Sequence, residues 1–335
     1  MEPEEIDGLF AERGFESYRS TQVLEWLYTR GARSFGEMTN LPKHLRQTLD
    51  KDFTLTDLKP LKVQVSELDA TRKFLFDLDD GDAVEAVLLQ EGSRWTVCVS
   101  TQVGCRFGCV FCASGKGGFV RNLTAGEIVD QVRKARFHSS AQRLTNIVLM
   151  GMGEPLANYE AMAKAVRIFQ HRRCLGFGKR RITISTAGFV PGLRRLARDN
   201  LSVRLAISLH APDDRTRNRL MPINKKYPIA QLLAACAPMA GNAQTPLTIE
   251  YMLIEGVNDS QRQARELAKI CKNLGAKVNL IAHNPILKGR YAPSSKERVL
   301  QFQSALRGDG VLAFVRHSRG LDIDAACGQL KARMQ

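Results

Sequence analysis

The sequence predicts an α/β protein: a partial parallel barrel of six strand–helix units, preceded by a small helical domain and a β-hairpin extension. Three observations carry this. From about residue 95, short apolar runs alternate with helix-period segments, the pattern of a parallel sheet with right-handed crossovers. Unusual polar motifs recur at the C-terminal ends of the predicted strands, where parallel barrels gather their chemistry. Before residue 95 the periodicity is first helical and then hairpin-like.

In chain order, Val23, Trp26, Leu27 and Arg30 follow a helix period that Gly31 can end. Leu41, Leu45 and Leu49 mark another helix, with Pro42 near its start. Lys73–Phe76 and Val84–Leu88 flank the turn signal Asp80-Gly81 and read as a hairpin. Strands are predicted at Thr96–Ser100, Asn146–Met150, Arg181–Thr186, Val203–Leu209, Leu247–Leu253, Lys277–Ile281 and Val311–Arg316. Thr124 and Glu127 form a capping box opening one intervening helix. Met162, Val166 and Phe169 line a second, and Leu267, Ile270, Cys271 and Leu274 a third, ended by Gly275. The expected divisions are 1–55 (helical), 56–94 (hairpin extension) and 95–335 (barrel with a C-terminal cysteine segment).

Of the 335 residues 44 % are apolar, enough for a substantial core, yet no run approaches the roughly 18 apolar residues of a membrane helix. The acidic start, Met1-Glu2-Pro3-Glu4-Glu5, lacks the features of a signal peptide, so a cytosolic protein without membrane association is expected. The net charge of +15 favours a polyanionic partner with salt-sensitive binding. Each basic cluster alone (Arg172-Arg173, Lys179-Arg180-Arg181, Arg194-Arg195, Arg215/Arg217/Arg219, Lys225-Lys226) reads as solvated surface; the total imbalance reads as nucleic-acid binding. Eight cysteines in so long a chain are not a secreted disulfide framework, and three of them crowd into eight residues.

Those three, Cys105, Cys109 and Cys112, are spaced C-x3-C-x2-C directly after the first barrel strand. Zinc sites usually take four protein ligands, and a fully ligated four-iron cluster takes four thiolates. Three thiolates leave one iron of a cubane open to another ligand. A three-cysteine zinc site completed by a histidine, or unligated thiols, are the competing readings, and no histidine is near in sequence. Gly104 and Gly108 let the loop wrap, and Phe107 and Phe111 can shield it. Four further motifs follow later strands: Gly151-Met152-Gly153-Glu154-Pro155, Ser185-Thr186-Ala187-Gly188, Ser208-Leu209-His210 and His283-Asn284-Pro285.

The cysteine loop after the first strand of a partial barrel resembles the radical S-adenosylmethionine superfamily. Residues 112–124, Gly151–Asn158, Leu220–Asn224 and Asp322–Leu330 are similar to the RlmN/Cfr family of adenine methyltransferases acting on 23S ribosomal RNA and, in the RlmN branch, tRNA. The resemblance spans nearly the whole chain. Ser114, where threonine is common, is a mild departure. It implies a TIM-like (β/α)6 radical S-adenosylmethionine barrel and a 4Fe-4S cluster on Cys105, Cys109 and Cys112. The open iron then chelates S-adenosylmethionine, consumed twice per turnover. Gly153, Glu154, Ser185, Ser208, Leu209, His210 and Asn284 are the implied cofactor contacts. Strand parity agrees in part, turning Ser208 and His210 to the barrel interior. His210 alone reads as a satisfied core histidine.

Carbon 2 and carbon 8 of adenine are electron-poor and do not attack a sulfonium methyl group, so the cofactor must carry the hard chemistry. The resemblance implies that Cys327 is methylated first, that the 5′-deoxyadenosyl radical takes hydrogen from that methyl group, and that the carbon radical adds to adenine. Cys98, on the opposite strand face from Val97 and Val99, can then attack the Cys327 sulfur and release the RNA. Taken alone, Cys98 reads as a small buried hydrophobe, as do Cys174, Cys236 and Cys271. Glu85 is the implied base, its pKa raised by an apolar setting. The small helical domain, with Arg19, Arg30, Arg33, Lys43 and Arg46, is the expected RNA-docking element. An electron donor such as flavodoxin or ferredoxin and a monomeric state complete the expectation. Carbon-8 methylation, a zinc-holding RNA-binding protein and a glycyl-radical activase are the alternatives. Gly118–Asn122 and Glu37–Pro42 look more like the carbon-2 branch.

Overall fold

The computed structural model describes residues 1–138, 144–241, 245–287 and 289–331. The chain opens with α1 (Pro3–Glu12), α2 (Tyr18–Glu25) and α3 (Lys43–Asp52). Pro3 at the first helical turn and a Glu2/Glu5 capping box start α1. One π turn continues α2 to Arg30, and Gly31, in the left-handed region at φ 74°, ends it as its sequence position predicts. Leu41, Leu45 and Leu49 are buried.

Next come β1 (Lys59–Val65), β2 (Arg72–Asp77), β3 (Ala83–Glu91) and β4 (Arg94–Cys98), each antiparallel to the one before. The predicted hairpin is β2–β3. The added strand β1 carries no period-2 burial because it is an exposed edge, with Lys59, Pro60 and Lys62 of the kind that blunts edge pairing. After β4 a two-stranded ribbon, β5 (Gln102–Gly104) and β6 (Phe119–Asn122), brackets the cysteine loop and the short helix α4 (Ala113–Lys116).

Strands and helices then alternate: α5 (Ala125–His138), β7 (Asn146–Leu149), α6 (Tyr159–Gln170), β8 (Ile182–Thr186), α7 (Val190–Asp199) and β9 (Arg204–Ser208). There follow α8 (Asp214–Leu220), α9 (Ile229–Cys236), β10 (Thr248–Leu253), α10 (Gln261–Leu274), β11 (Lys277–Ala282), α11 (Lys296–Gly308) and β12 (Ala313–Arg316). One sheet runs β1-β2-β3-β4-β7-β8-β9-β10-β11-β12, parallel from β4 onward. The extension and the barrel therefore share a sheet. The Thr124 capping box is formed, with the Thr124 amide donating to Glu127 Oε2 at 2.7 Å. Among the described residues no helix is long and apolar enough to cross a membrane.

The helical domain is docked by charge. Arg133 of α5 pairs with Asp130 at 2.5 Å and donates to the Leu27, Thr56 and Ala32 carbonyls, while Asp130 accepts the Leu58 amide. The acidic start meets basic side chains on and after α6: Arg167 with Glu2, Lys164 with Glu5, Arg173 with Asp7. Several cations expected at the surface are thus partly spoken for. Arg19 and Arg30 pair with Glu16 and Glu25, Arg46 holds the Gly36 carbonyl, and Arg195 pairs with Glu160. Arg33 and Lys43 are exposed. Arg217 departs furthest from its expected surface setting: it has no solvent exposure. Cys174, Cys236 and Cys271 are buried core residues, as expected.

Candidate active site

The cysteine loop is wound by glycine. Gly104 has φ 71°, and a Cβ there would lie 1.9 Å from the Gly118 carbonyl oxygen, so only glycine fits. The Cys105 amide donates to that same carbonyl at 2.7 Å, and the Val110 amide donates to the Leu220 carbonyl of α8 at 3.0 Å. Phe111 is buried, its ring 4.9 Å from that of His210 and edge-on to it; Phe107 is half-buried against Phe189. Burial pushes the Cys105 thiol up to about 12, with Glu154 and Cys112 adding to it, and raises Cys109 further with help from Cys112 and Cys105. Cys105 and Cys109 are thus desolvated, with Cys112 acting on both, which suits the three as soft ligands once a metal takes their charge. Among the described residues no three His, Cys, Asp or Glu side chains are grouped as ligands of one metal ion. Thiolates on one zinc lie about 3.8 Å apart, from tetrahedral bonds of about 2.3 Å, whereas thiolates on separate irons of a cubane stand wider. The donor set fits an iron–sulfur cluster held by three thiolates.

Strand register then assembles one inner wall. Cα partners Val87↔Cys98, Cys98↔Val148, Val148↔Thr183, Ser185↔Ala206, Ser208↔Glu250 and Glu250↔Asn279 share a face. That face carries Glu85, Cys98, Ser185, Ser208, Glu250 and Asn279. Ser185 Oγ and Ser208 Oγ are 3.5 Å apart. Gly153 has φ 95° and packs where a Cβ would meet the Gln102 side chain at 2.5 Å. The Glu154 carboxylate is buried and accepts the Leu156 amide at 3.1 Å and the Ala187 amide at 2.7 Å. Burial lifts its pKa to about 7 against those amides. Glu154 thus ties the loop after β7 to the end of β8, and both oxygens already have a main-chain partner.

His210 sits just past β9 with φ 55°, unusual for a residue with a Cβ. Its Nδ1 accepts the Met252 amide at 2.9 Å, and its carbonyl accepts Asn258 Nδ2 at 2.8 Å. This leaves the proton on Nε2. Burial, with nearby Arg217 second, pushes the imidazole down to about 3 from its usual 6.5. The folded state thus favours neutral His210: this contribution is complete above the usual pKa and is lost as pH falls through it toward the folded value. NMR of the imidazole nitrogens at pH 6 should show a neutral Nε2–H tautomer, and urea melts should lose a few kcal/mol from this site by pH 4, at about 1.4 kcal/mol per unit. An imidazolium signal at pH 6 would contradict the assignment.

The C-terminal segment crosses the barrel mouth as a strap. Ala113 of α4 donates its amide to the Gly328 carbonyl at 2.7 Å, Ser114 Oγ donates to Leu330, Asn284 Nδ2 donates to the Cys327 carbonyl at 3.1 Å, and Gln329 Nε2 donates to Pro285. Asp322 accepts from Ser66 and Glu67 at the turn after β1. Residue 327 is exposed overall, yet desolvation of its thiol raises the pKa, with Glu250 adding and Arg316 opposing. Cys98 is half-buried; desolvation first and Cys327 second push it to about 12. The structure therefore brings Cys98, Cys327 and the loop cysteine Cys112 within electrostatic reach.

Glu85 is buried but not in the apolar setting expected of it. Its Oε1 is 3.2 Å from Lys73 Nζ, and its Oε2 accepts the Lys331 amide of the strap at 2.7 Å. Lys73 also reaches the Asp324 carbonyl at 3.3 Å. The sequence reading does not single out Lys73, Glu250, Asn279 or Arg316, and it reads Arg217 as surface. Each lies in a strand or helix without a recognisable motif, and only the register Leu75↔Glu85, Lys73↔Val87 brings Lys73 to Glu85.

Comparison with known proteins agrees with this geometry. Residues 99–268 match the radical SAM superfamily, and residues 1–55 match the ribosomal RNA large subunit methyltransferase N-terminal domain. The chain is 46 % identical over 331 residues to the dual-specificity RNA methyltransferase RlmN of a Nitratiruptor species, covering 94 % of this chain and 93 % of that one. It is 47 % identical over 337 residues to the probable dual-specificity RNA methyltransferase RlmN of Symbiobacterium thermophilum, covering 100 % and 91 %. The crystal structure of a radical SAM methyltransferase from Sphaerobacter thermophilus superposes with a TM-score of 0.95 at 46 % identity, covering 99 % of this chain and 98 % of that one. A cysteine loop at the mouth of a partial barrel, a docked helical domain and full-length kinship together place this chain in the RlmN family of radical S-adenosylmethionine RNA methyltransferases.

Proposed function

We propose that this enzyme methylates carbon 2 of an adenine in 23S ribosomal RNA and in tRNA through an S-methylcysteine at Cys327. The observation that supports the reading is the strap, in which Asn284 anchors the Cys327 carbonyl and Ala113, next to Cys112, donates its amide to the Gly328 carbonyl. Cys105, Cys109 and Cys112 hold the cluster; Gly153, Glu154, Ser185, Ser208, Leu209, His210 and Asn284 surround S-adenosylmethionine. The cluster, when bound, supplies the electron that splits the sulfonium. Two molecules of S-adenosylmethionine serve each turnover, one as methyl donor to Cys327 and one as radical source.

The chain's own residues do the rest. Asn284 fixes the Cys327 carbonyl, so the sulfur swings about an anchored main chain. Glu85, its Oε1 3.2 Å from Lys73 Nζ, takes the proton from the adenine carbon. The adduct radical would also give up one electron, which the oxidised cluster would accept when bound, leaving a closed-shell thioether; the Cys98 thiolate then attacks the Cys327 sulfur, the electrons of the S–CH2 bond pass to the carbon attached to adenine, and protonation there completes the methyl group, which stays on the RNA. A reducing cytosol, a flavodoxin- or ferredoxin-type donor and a monomeric enzyme complete the reading. A loop or extruded adenine is the expected target, because a paired base cannot present its ring carbon. Digestion of RNA treated with the anaerobically reconstituted enzyme should yield 2-methyladenosine; 8-methyladenosine as sole product would replace this regiochemistry with the carbon-8 alternative.

A further inference from the structure

Arg217 is the largest fully buried side chain of the described residues. It projects from α8, whose start is capped by Asp213 accepting the Thr216 amide at 2.8 Å. Its guanidinium donates to the Leu209 carbonyl at 3.1 Å, the Ala187 carbonyl at 2.7 Å, the Ser208 carbonyl at 3.2 Å and Asn224 Oδ1 at 2.7 Å. These partners are neutral oxygens. Among the described residues it forms no ion pair with a carboxylate; Asp214 is reached only through the Asn224 amide, at 2.8 Å. Gly188, at φ 101°, lies where a Cβ would touch Nη2 at 3.2 Å. Isolating a buried cation costs several kcal/mol unless an anion compensates it.

The compensating anion is indicated by what α8 touches. One turn beyond Arg217, the Leu220 carbonyl takes the Val110 amide of the cysteine loop. Val110 directly follows Cys109, so this bond sets α8 against the middle cysteine of the loop. We propose that Arg217 is the built-in counter-charge of the thiolate-held cluster, and that its four-bond fork also sets the ends of β8 and β9 on which S-adenosylmethionine rests. This rests on the cluster reading given above. Three thiolates around a 4Fe-4S core make a net anion that gains one further negative charge on reduction by the electron donor. A fixed cation on the helix that abuts the cysteine loop stabilises the reduced form more than the oxidised one and so raises the reduction potential.

Arg217→Met and Arg217→Lys, in the full-length reconstituted protein, separate charge from geometry. Redox titration followed by electron paramagnetic resonance should show Arg217→Met reduced at a potential lower by about 59 mV or more, a tenfold shift in a one-electron equilibrium. Arg217→Lys keeps the charge and should stay near the wild-type potential. It loses the fork, and its S-adenosylmethionine affinity by equilibrium dialysis should fall by about tenfold, or about 1.4 kcal/mol. A Met variant with full iron content and wild-type potential would overturn the counter-charge. Should the Met variant not fold, a Lys variant with wild-type affinity overturns the fork, and one whose potential drops despite its charge overturns the electrostatic role. Wild-type protein without iron and sulfide would instead refute the cluster reading itself.

Discussion

Cys98→Ala is expected to stop the enzyme within its first turnover and leave it joined to its RNA. Cys98 lies in β4 on the same inner face as Glu85, and Cys327 adds to the rise in its thiol pKa. It belongs to none of the segments that anchor the strap, so its loss leaves Cys327, Asn284 and the cysteine loop in place. Removing one sulfur atom from a half-buried site should cost about 1 kcal/mol of stability or less. The variant should therefore bind iron as the wild type does and form the Cys327–adenine bond, but lack the thiolate that breaks it. Multiple turnover should fall by at least about a hundredfold, or about 2.7 kcal/mol in the barrier. Denaturing gels should show an RNA-shifted protein band, and peptide mass spectrometry should place the nucleotide on Cys327. The band should vanish in Cys98→Ala/Cys327→Ala. Free methylated RNA at the wild-type rate would remove Cys98 from the pathway.

Glu85→Gln should be nearly as damaging, for a different reason. The amide keeps the shape of the carboxylate and can still accept the Lys331 amide hydrogen, so the strap retains an anchor. It cannot accept a proton at neutral pH. Loss of a positioned base typically costs about 10²- to 10⁴-fold. The variant should still methylate Cys327 and release 5′-deoxyadenosine, so chromatography of the small products separates this defect from loss of the cluster. Lys73→Met offers a second check. With the ion pair removed, RNA methylation should fall while 5′-deoxyadenosine release persists, as for Glu85→Gln. Methylation by Glu85→Gln within tenfold of wild type would show that another group takes the proton.

Much of the barrel was legible because local and global signals agree. The seven strand runs from Thr96 to Arg316 all form strands within a residue or two, and α6 and α10 begin and end where amphipathic periods and Gly275 place them. The cysteine loop was legible because its chemistry is written in consecutive residues. What stayed hidden depends on pairing distant in sequence. β1 is an edge exposed on both faces, so it leaves no alternation to read. α1 shows only Pro3, Ile6 and Phe10 as buried residues. Its acidic side chains, with the cap Glu2, meet cations 159 to 166 residues away, pairings no local pattern shows. Arg217 was grouped with Arg215 and Arg219 as a surface patch, because no spacing rule says which arginine of three on a helix turns inward. Glu85 was picked out by family likeness, while its partner Lys73 emerges only once β2 is set against β3.

With Cys105, Cys109 and Cys112 proposed as the ligands of a four-iron cluster, one iron would lack a protein thiolate, and every role proposed above depends on a sulfonium cofactor binding there. The direct measurement is product analysis of anaerobically prepared protein given S-adenosylmethionine, a low-potential reductant and RNA, alongside metal and sulfide content. The expected result is close to four irons and four sulfides per chain and 5′-deoxyadenosine released with RNA methylation. Protein that holds zinc, or that holds iron and sulfide but forms no 5′-deoxyadenosine, would contradict the account.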